Sequence, residues 1–223
     1  MELIKSSLSF FTTIPIQGDI EKLRRNLWIF PYAGIFVGSV IAGVLYLLTI
    51  LNLKFLGILA YLLVEGINHI DGLADFGDAF FAPRDKKVQA LKDTRIGAGG
   101  VVFVVIYIAI IYQALLTADF LKVVVAQSLA KFGMLIAMVT SKPSWSGMAS
   151  YMMEFARKRD LVIGFIALIP FLILSPIRTL KLLIASIILV FVLKFYSESR
   201  FGGISGDILG VLNCSVFALC LIS

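Results

Sequence analysis

Apolar residues run along this chain in long blocks separated by polar, glycine-containing segments, a pattern that predicts membrane-spanning helices rather than a soluble core. The blocks cover residues 28–51, 55–70, 98–118, 120–139, 161–174, 180–195 and 208–223. A span takes about 20 residues, so the second, fifth and sixth are short, and the fourth carries Lys122 and Lys131. The pattern predicts an all-α, polytopic integral membrane protein with about seven transmembrane helices, six or eight being the alternatives. No repeat or linker divides the chain, so residues 1–223 read as a single membrane domain. The weaker apolar stretch at 8–16 is broken by Pro15 and lacks a small-residue cleavage motif. It reads as an interfacial segment and not a signal peptide.

Composition agrees and narrows the classes. Of 223 residues, 60% are apolar and 15% charged, against about 45–50% and 25% in soluble domains. Disorder, fibrous repeats and a disulfide scaffold are excluded. Only Cys214 and Cys220 and the single His69 are present, which leaves no Cys- or His-based metal framework. The net charge of +6 would suit nucleic acid in a soluble protein. In a membrane protein it reports topology, and no nucleic-acid partner is expected.

Charge then orients the chain. With the N-terminus inside, only Lys54, Lys122, Arg178 and Lys181 fall outside and Lys131 within a span, while the rest of the 20 basic residues lie inside. The positive-inside rule therefore predicts a cytoplasmic N-terminus. The long connections, about 71–97, 140–160 and 196–207, are all on that face, and loops carry function. The expected location is the cell membrane, multi-pass, with the active site on its cytoplasmic side.

The acidic residues are few and concentrated. Of 14 in the chain, Glu65, Asp71, Asp75, Asp78, Asp85 and Asp93 crowd into one stretch. Asp71, Asp75 and Asp78 are spaced i, i+4, i+7 and share one face of a helix. A solvated acidic face would interleave lysines; here the intervening residues are Gly, Leu, Ala, Phe and Gly. Three carboxylates on one face call for a cation, and hard oxygen donors suit Mg²⁺ or Mn²⁺, metals that commonly accompany substrate phosphates.

Basic and glycine-rich segments complete the inner face. Lys92 and Arg95 are donors to phosphate oxygens, and the glycines from Gly97 to Gly100 would let backbone amides approach an anion. Arg84, Lys86 and Lys87 read as anchoring charges. Lys131, deep in a span, should face a partner or a cavity; Glu65 is a partner for it or a further residue around the metal. Two more inner loops run Ser141-Lys142-Pro143-Ser144-Trp145-Ser146-Gly147-Met148 and Phe201-Gly202-Gly203-Ile204-Ser205-Gly206-Asp207. His69, two residues from the cluster, is a helix-end hydrogen-bonding residue or a catalyst.

The run Asn68-His69-Ile70-Asp71-Gly72-Leu73-Ala74-Asp75-Phe76-Gly77-Asp78 resembles the H-x-DGLAD-x-x-D signature of the cobalamin synthase family, the adenosylcobinamide-GDP ribazoletransferases. Leu91-Lys92-Asp93-Thr94-Arg95-Ile96-Gly97 resembles its M-K-D-S-R-I-G, and Gly202-Gly203-Ile204-Ser205-Gly206-Asp207-Ile208-Leu209-Gly210 its G-G-x-T-G-D-x-L-G. Near the N-terminus, Phe10-Phe11-Thr12-Thr13-Ile14-Pro15 and Phe30-Pro31-Tyr32-Ala33-Gly34 resemble two further motifs. Lys142-Pro143 stands where the family more usually has Arg-Pro.

The resemblance implies transfer of the cobinamide phosphoryl group of adenosylcobinamide-GDP to α-ribazole or its 5′-phosphate, with release of GMP and Mg²⁺ as cofactor, Mn²⁺ being the alternative. Asp71, Asp75 and Asp78 would hold metal, with Asp93 a fourth ligand. Lys92, Arg95 and Lys131 would neutralise the leaving group, and Asp93, Lys142, Gly202, Gly203 and Gly206 would also contact substrate. His69, a carboxylate of the triad, or Asp207 would take the acceptor's proton. Partners are the two small molecules and the lipid bilayer, with a homo-oligomer or other corrinoid-assembly enzymes as further candidates.

Three rival classes share parts of this pattern. Membrane prenyltransferases usually carry two acidic motifs, and only one is dense here. CDP-alcohol phosphotransferases carry an Ala-Arg soon after their Asp-Gly, where this chain has Leu73-Ala74-Asp75. A cation transporter would place its carboxylates near mid-membrane and leave the long inner loops unexplained.

Overall fold

A computed structural model describes Glu2–Ser223. Among the described residues the regular secondary structure is all helical, apart from one isolated parallel bridge between Pro143 and Ile204. The helices are α1 (Glu2–Phe11), α2 (Ile20–Arg24), α3 (Phe30–Ile50), α4 (Gly57–Glu65), α5 (Asn68–Phe81), α6 (Lys87–Leu91), α7 (Ala98–Thr117), α8 (Phe120–Thr140), α9 (Met148–Met153), α10 (Lys158–Ile166), α11 (Ile169–Leu174), α12 (Pro176–Phe201) and α13 (Gly206–Ile222).

α8 is the axis of the bundle. It is buried on nearly every face from Val123 to Met138, as an all-round apolar helix should be. α3 packs along it, and two glycines one turn apart set the distance. A Cβ on Gly34 would lie 2.5 Å from the Gln127 carbonyl oxygen, and one on Gly38 2.7 Å from the Val124 Cα. Lipid gives no hydrophobic drive between helices, so close backbone approach at small residues supplies the packing. α13, equally buried, takes another side of α8. α7 and α12 form the periphery. On α12 the exposed residues Ile177, Leu180, Ile184, Ile188, Val192 and Phe195 make an outward apolar stripe of helical period, suited to lipid.

By length and composition four helices could cross a membrane: 27–50, α7, α8 and α12. A fifth counts if α4 and α5, with the short turn before them, are one broken span bent by 97°. α13 is apolar but shorter. The seven expected spans are therefore not all single helices of spanning length. The block at 161–174 is divided into α10 and α11, with Pro170 at the start of the second. The block at 55–70 breaks at Gly66, whose φ of +81° is open to glycine and costly for other residues. After that break α5 runs past the first turns of α7 and α13 instead of continuing inward: Cβ atoms on Gly72 and Gly77 would strike the Asp207 and Gly99 backbones at 2.7 Å.

All the long connections gather at one end. Arg24 of α2 pairs with Glu154 beyond α9, the Ser144 amide donates to the Ile204 carbonyl at 3.0 Å, and Lys92 lies over Trp145. The opposite end holds short turns, tied by Lys54 Nζ to the Ala118 carbonyl at 3.2 Å and by Arg178 to Asp119 at 2.9 Å.

Candidate active site

α5 carries the acidic motif, and its geometry follows from its two glycines and from its ends. Without side chains at Gly72 and Gly77, α5 lies directly on the starts of α13 and α7. Its C-terminal carbonyls, at Ala79 and Phe80, accept from Lys87 Nζ at 2.8 and 2.5 Å. Lys87 thus caps the C-terminal end of the motif helix from a buried position, and is not the surface anchoring charge that the sequence suggested.

Asp71 and Asp75 face an open pocket of about 500 Å³ together with Asp93 and Asp207. Lys92, Thr94, Trp145, Ser146 and Leu91 complete the lining. Three separate chain segments therefore meet here, as the three inner loops suggested. Asp207 sits in the first turn of α13, and its Oδ2 accepts from Ser205 Oγ at 3.1 Å; Ser205 in turn caps the helix by accepting from the Ile208 amide. Asp93 accepts from the Arg95 amide and, through both oxygens, from its guanidinium at 3.1 and 2.9 Å. These bonds pull its carboxyl down to about 2. Lys92 Nζ lies 4.2 Å from the Trp145 ring centroid, a cation–π contact that ties the 92–95 segment to the 141–147 loop.

Asp75 is the strained member. Partial burial first, and then the charges of Asp71, Asp207, Asp78 and Asp93, push its carboxyl up to about 7. Among the described residues no three donors already converge on one point. The donor set is nonetheless all hard oxygen, with too much negative charge for the space, and that chemistry fits Mg²⁺ or Mn²⁺.

The structure separates Asp78 from this pocket. Its Oδ2 and Oδ1 accept from the Gly97 and Gly100 amides at 2.7 and 2.9 Å, so it caps α7 and closes the 82–97 connection back onto α5. A helix N-terminus favours an anion in this position. Lys131 is also elsewhere. It is wholly buried, 2.6 Å from Glu65 Oε1, with Gln127 and Asn213 bonded to the same group. His69 is buried beside that cluster, its Nδ1 3.9 Å from Glu65 Oε1. Arg95 is exposed and held by Asp93.

Lys142 is exposed, and its carbonyl accepts from the Ile204 amide at 2.9 Å. Gly202 ends α12 with φ +77°, and a Cβ on Gly203 would lie 2.3 Å from the Lys142 oxygen. Both glycines therefore shape the loop. Gly206 lies at a neighbouring apolar cavity. Trp145 and Ser146 line the acidic pocket; the sequence offers them only as part of the 141–148 inner loop and not as site residues.

No solved structure matches the chain. A relative from Archaeoglobus fulgidus, named adenosylcobinamide-GDP ribazoletransferase, is 49% identical over 98% of this chain and 94% of its own length. A second protein of that name from the same organism is 44% identical over 99% and 96%. One from Pyrococcus abyssi is 34% identical over 94% and 91%. The family described as cobalamin-5-phosphate synthase matches residues 3–223. With its acidic motif, its ordered loops and these relatives along nearly its whole length, the chain belongs to the cobalamin-5-phosphate synthase family.

Proposed function

We propose that this chain is an adenosylcobinamide-GDP ribazoletransferase, joining adenosylcobinamide-GDP to α-ribazole or its 5′-phosphate and releasing GMP. The observation that carries the reading is the single pocket in which Asp71, Asp75, Asp93 and Asp207 face Lys92, in a chain whose relatives bear that name. The prenyltransferase, CDP-alcohol phosphotransferase and transporter readings have no comparable support.

Asp71, Asp75 and Asp93 would hold Mg²⁺, or Mn²⁺ in its place, and the metal would supply positive charge to a bound pyrophosphate. Lys92 donates to the phosphate oxygens of the GMP that leaves, and Arg95 adds charge at the rim. A ribose hydroxyl of the acceptor attacks the phosphorus that bears the cobinamide. A new P–O bond forms there as the P–O bond to GMP breaks, and Asp207, oriented by Ser205, takes the hydroxyl proton. Asp78 fixes the 82–97 connection so that Lys92 and Asp93 stand opposite α5. His69 lies outside this pocket, buried near Glu65. The basic residues gathered at this end of the bundle support an orientation with the N-terminus and the site on the cytoplasmic side of the cell membrane.

The test is release of GMP from adenosylcobinamide-GDP by the full chain reconstituted in liposomes. GMP should appear only with both α-ribazole and Mg²⁺ present. Release that is independent of α-ribazole would overturn the reading.

A further inference from the structure

A second cavity, of about 360 Å³, adjoins the acidic pocket and differs from it in chemistry. Its walls are chiefly Met134, Met138, Met148, Met152, Phe10 and Phe30. Four of the chain's six methionines thus surround one space. Thioethers are polarisable and adapt their shape, and they pack well against aromatic rings. A mostly apolar cavity of this size with a few polar groups on its wall, here His69, Asn68 and Ser9, is the usual form of a small-molecule site.

The two spaces share a boundary. His69 lines the apolar cavity and Asp71, two residues on, the acidic pocket; Gly206 lines the first and Asp207 the second. At Gly206 a Cβ would meet nothing within 4 Å, so no neighbouring side chain crowds the cavity wall at that point. A ligand with an apolar plate joined to a hydroxyl-bearing sugar would span this boundary with its hydroxyl near Asp207.

We propose that the Met-lined cavity holds the aromatic base of the acceptor nucleoside, an inference that rests on the ribazoletransferase reading. Guanine, the base of the other substrate, presents a row of hydrogen-bond donors and acceptors that thioether and phenyl walls would leave unpaired at a cost. The benzimidazole-type base of α-ribazole is poor in such groups and suits these walls. The cavity therefore selects the acceptor, while the acidic pocket takes the pyrophosphate.

Met138→Trp fills the cavity, and Met148→Trp narrows its mouth at a position already 56% exposed, where a larger side chain is accommodated without disturbing the fold. In liposomes each should raise the KM for α-ribazole about tenfold or more, while the KM for adenosylcobinamide-GDP stays within about twofold. Equilibrium dialysis of α-ribazole alone against the same proteins gives a readout that needs no turnover, and binding should weaken in parallel. Should Met138→Trp fail to fold, Met148→Trp decides. An effect on the adenosylcobinamide-GDP KM instead would place guanine or corrin in the cavity and overturn the inference. No effect on either KM would mean that lipid fills it, with the same consequence. Wild-type protein that binds α-ribazole but releases no GMP would sink the reaction and leave the cavity's occupant standing.

Discussion

Lys131 Nζ and Glu65 Oε1 lie 2.6 Å apart with both side chains wholly excluded from solvent. Gln127 and Asn213 complete the shell around Glu65, and Lys131 also reaches Gln127 Oε1. Of the two roles the sequence offers Lys131, partner of Glu65 or charge on the leaving group, the structure shows the first, a buried pair joining α4 to the central helix. Removing one partner of such a pair strands the other charge in the interior and costs about 3–5 kcal/mol.

Lys131→Met is therefore expected to lower thermal stability sharply in detergent, and Lys131→Met with Glu65→Leu to recover most of the loss. Unfolding curves of the two proteins decide the matter. A single variant as stable as wild type, with weakened binding of adenosylcobinamide-GDP, would return Lys131 to the substrate.

Asp78→Asn tests the second reassignment. The amide keeps one acceptor but points an N–H₂ at a backbone N–H of Gly97 or Gly100, and it removes the anion at the start of α7. A charged hydrogen bond lost in this way costs about 1–3 kcal/mol. Stability and turnover should both fall, while the Mg²⁺ concentration for half-maximal rate stays within about twofold. A large shift in that concentration with unchanged stability would make Asp78 a metal ligand, as its i+7 spacing suggested.

The regular parts of the fold were open to reading because a single local rule sets them. Residues 98–118 and 120–139 were predicted as spans and are α7 and α8 to within a residue, since long apolar runs bounded by Gly97 and Asp119 allow little else. The break between α4 and α5 was signalled only by Gly66, and a lone glycine in an apolar block does not announce a 97° bend. In the site, the helical spacing places Asp71, Asp75 and Asp78 on one face, and Asp71 and Asp75 line the acidic pocket. It could not tell that the first turn of α7 would claim Asp78, because that depends on a neighbour nineteen positions away. The methionine cavity was hidden for the same reason: α8 and α9 supply its walls from separate elements.

At the rim, Glu21 accepts from Arg24 and Arg25, and these bonds hold its carboxyl at about 2 against an ordinary 4.5. A depressed acid contributes stability that is complete above the ordinary value and is lost as the pH falls toward the lowered one. Docking of α2 on α9, where Arg24 also meets Glu154 and the Tyr151 ring, should hold at pH 5 and loosen toward pH 2. Amide hydrogen exchange across 20–25 and 148–154 should accelerate over that interval. Glu21→Gln should flatten the pH dependence; unchanged exchange profiles in that variant would contradict the assignment.

The most direct test of the central claim is GMP release by Asp75→Asn in liposomes, with α-ribazole and Mg²⁺ present. Asp75 is half-buried among four other carboxylates, so neutralising it relieves repulsion and should leave the fold as stable as wild type or more so. The account predicts a correctly inserted, stable protein whose rate falls by about a thousandfold or more. Near-wild-type turnover in that variant would contradict it.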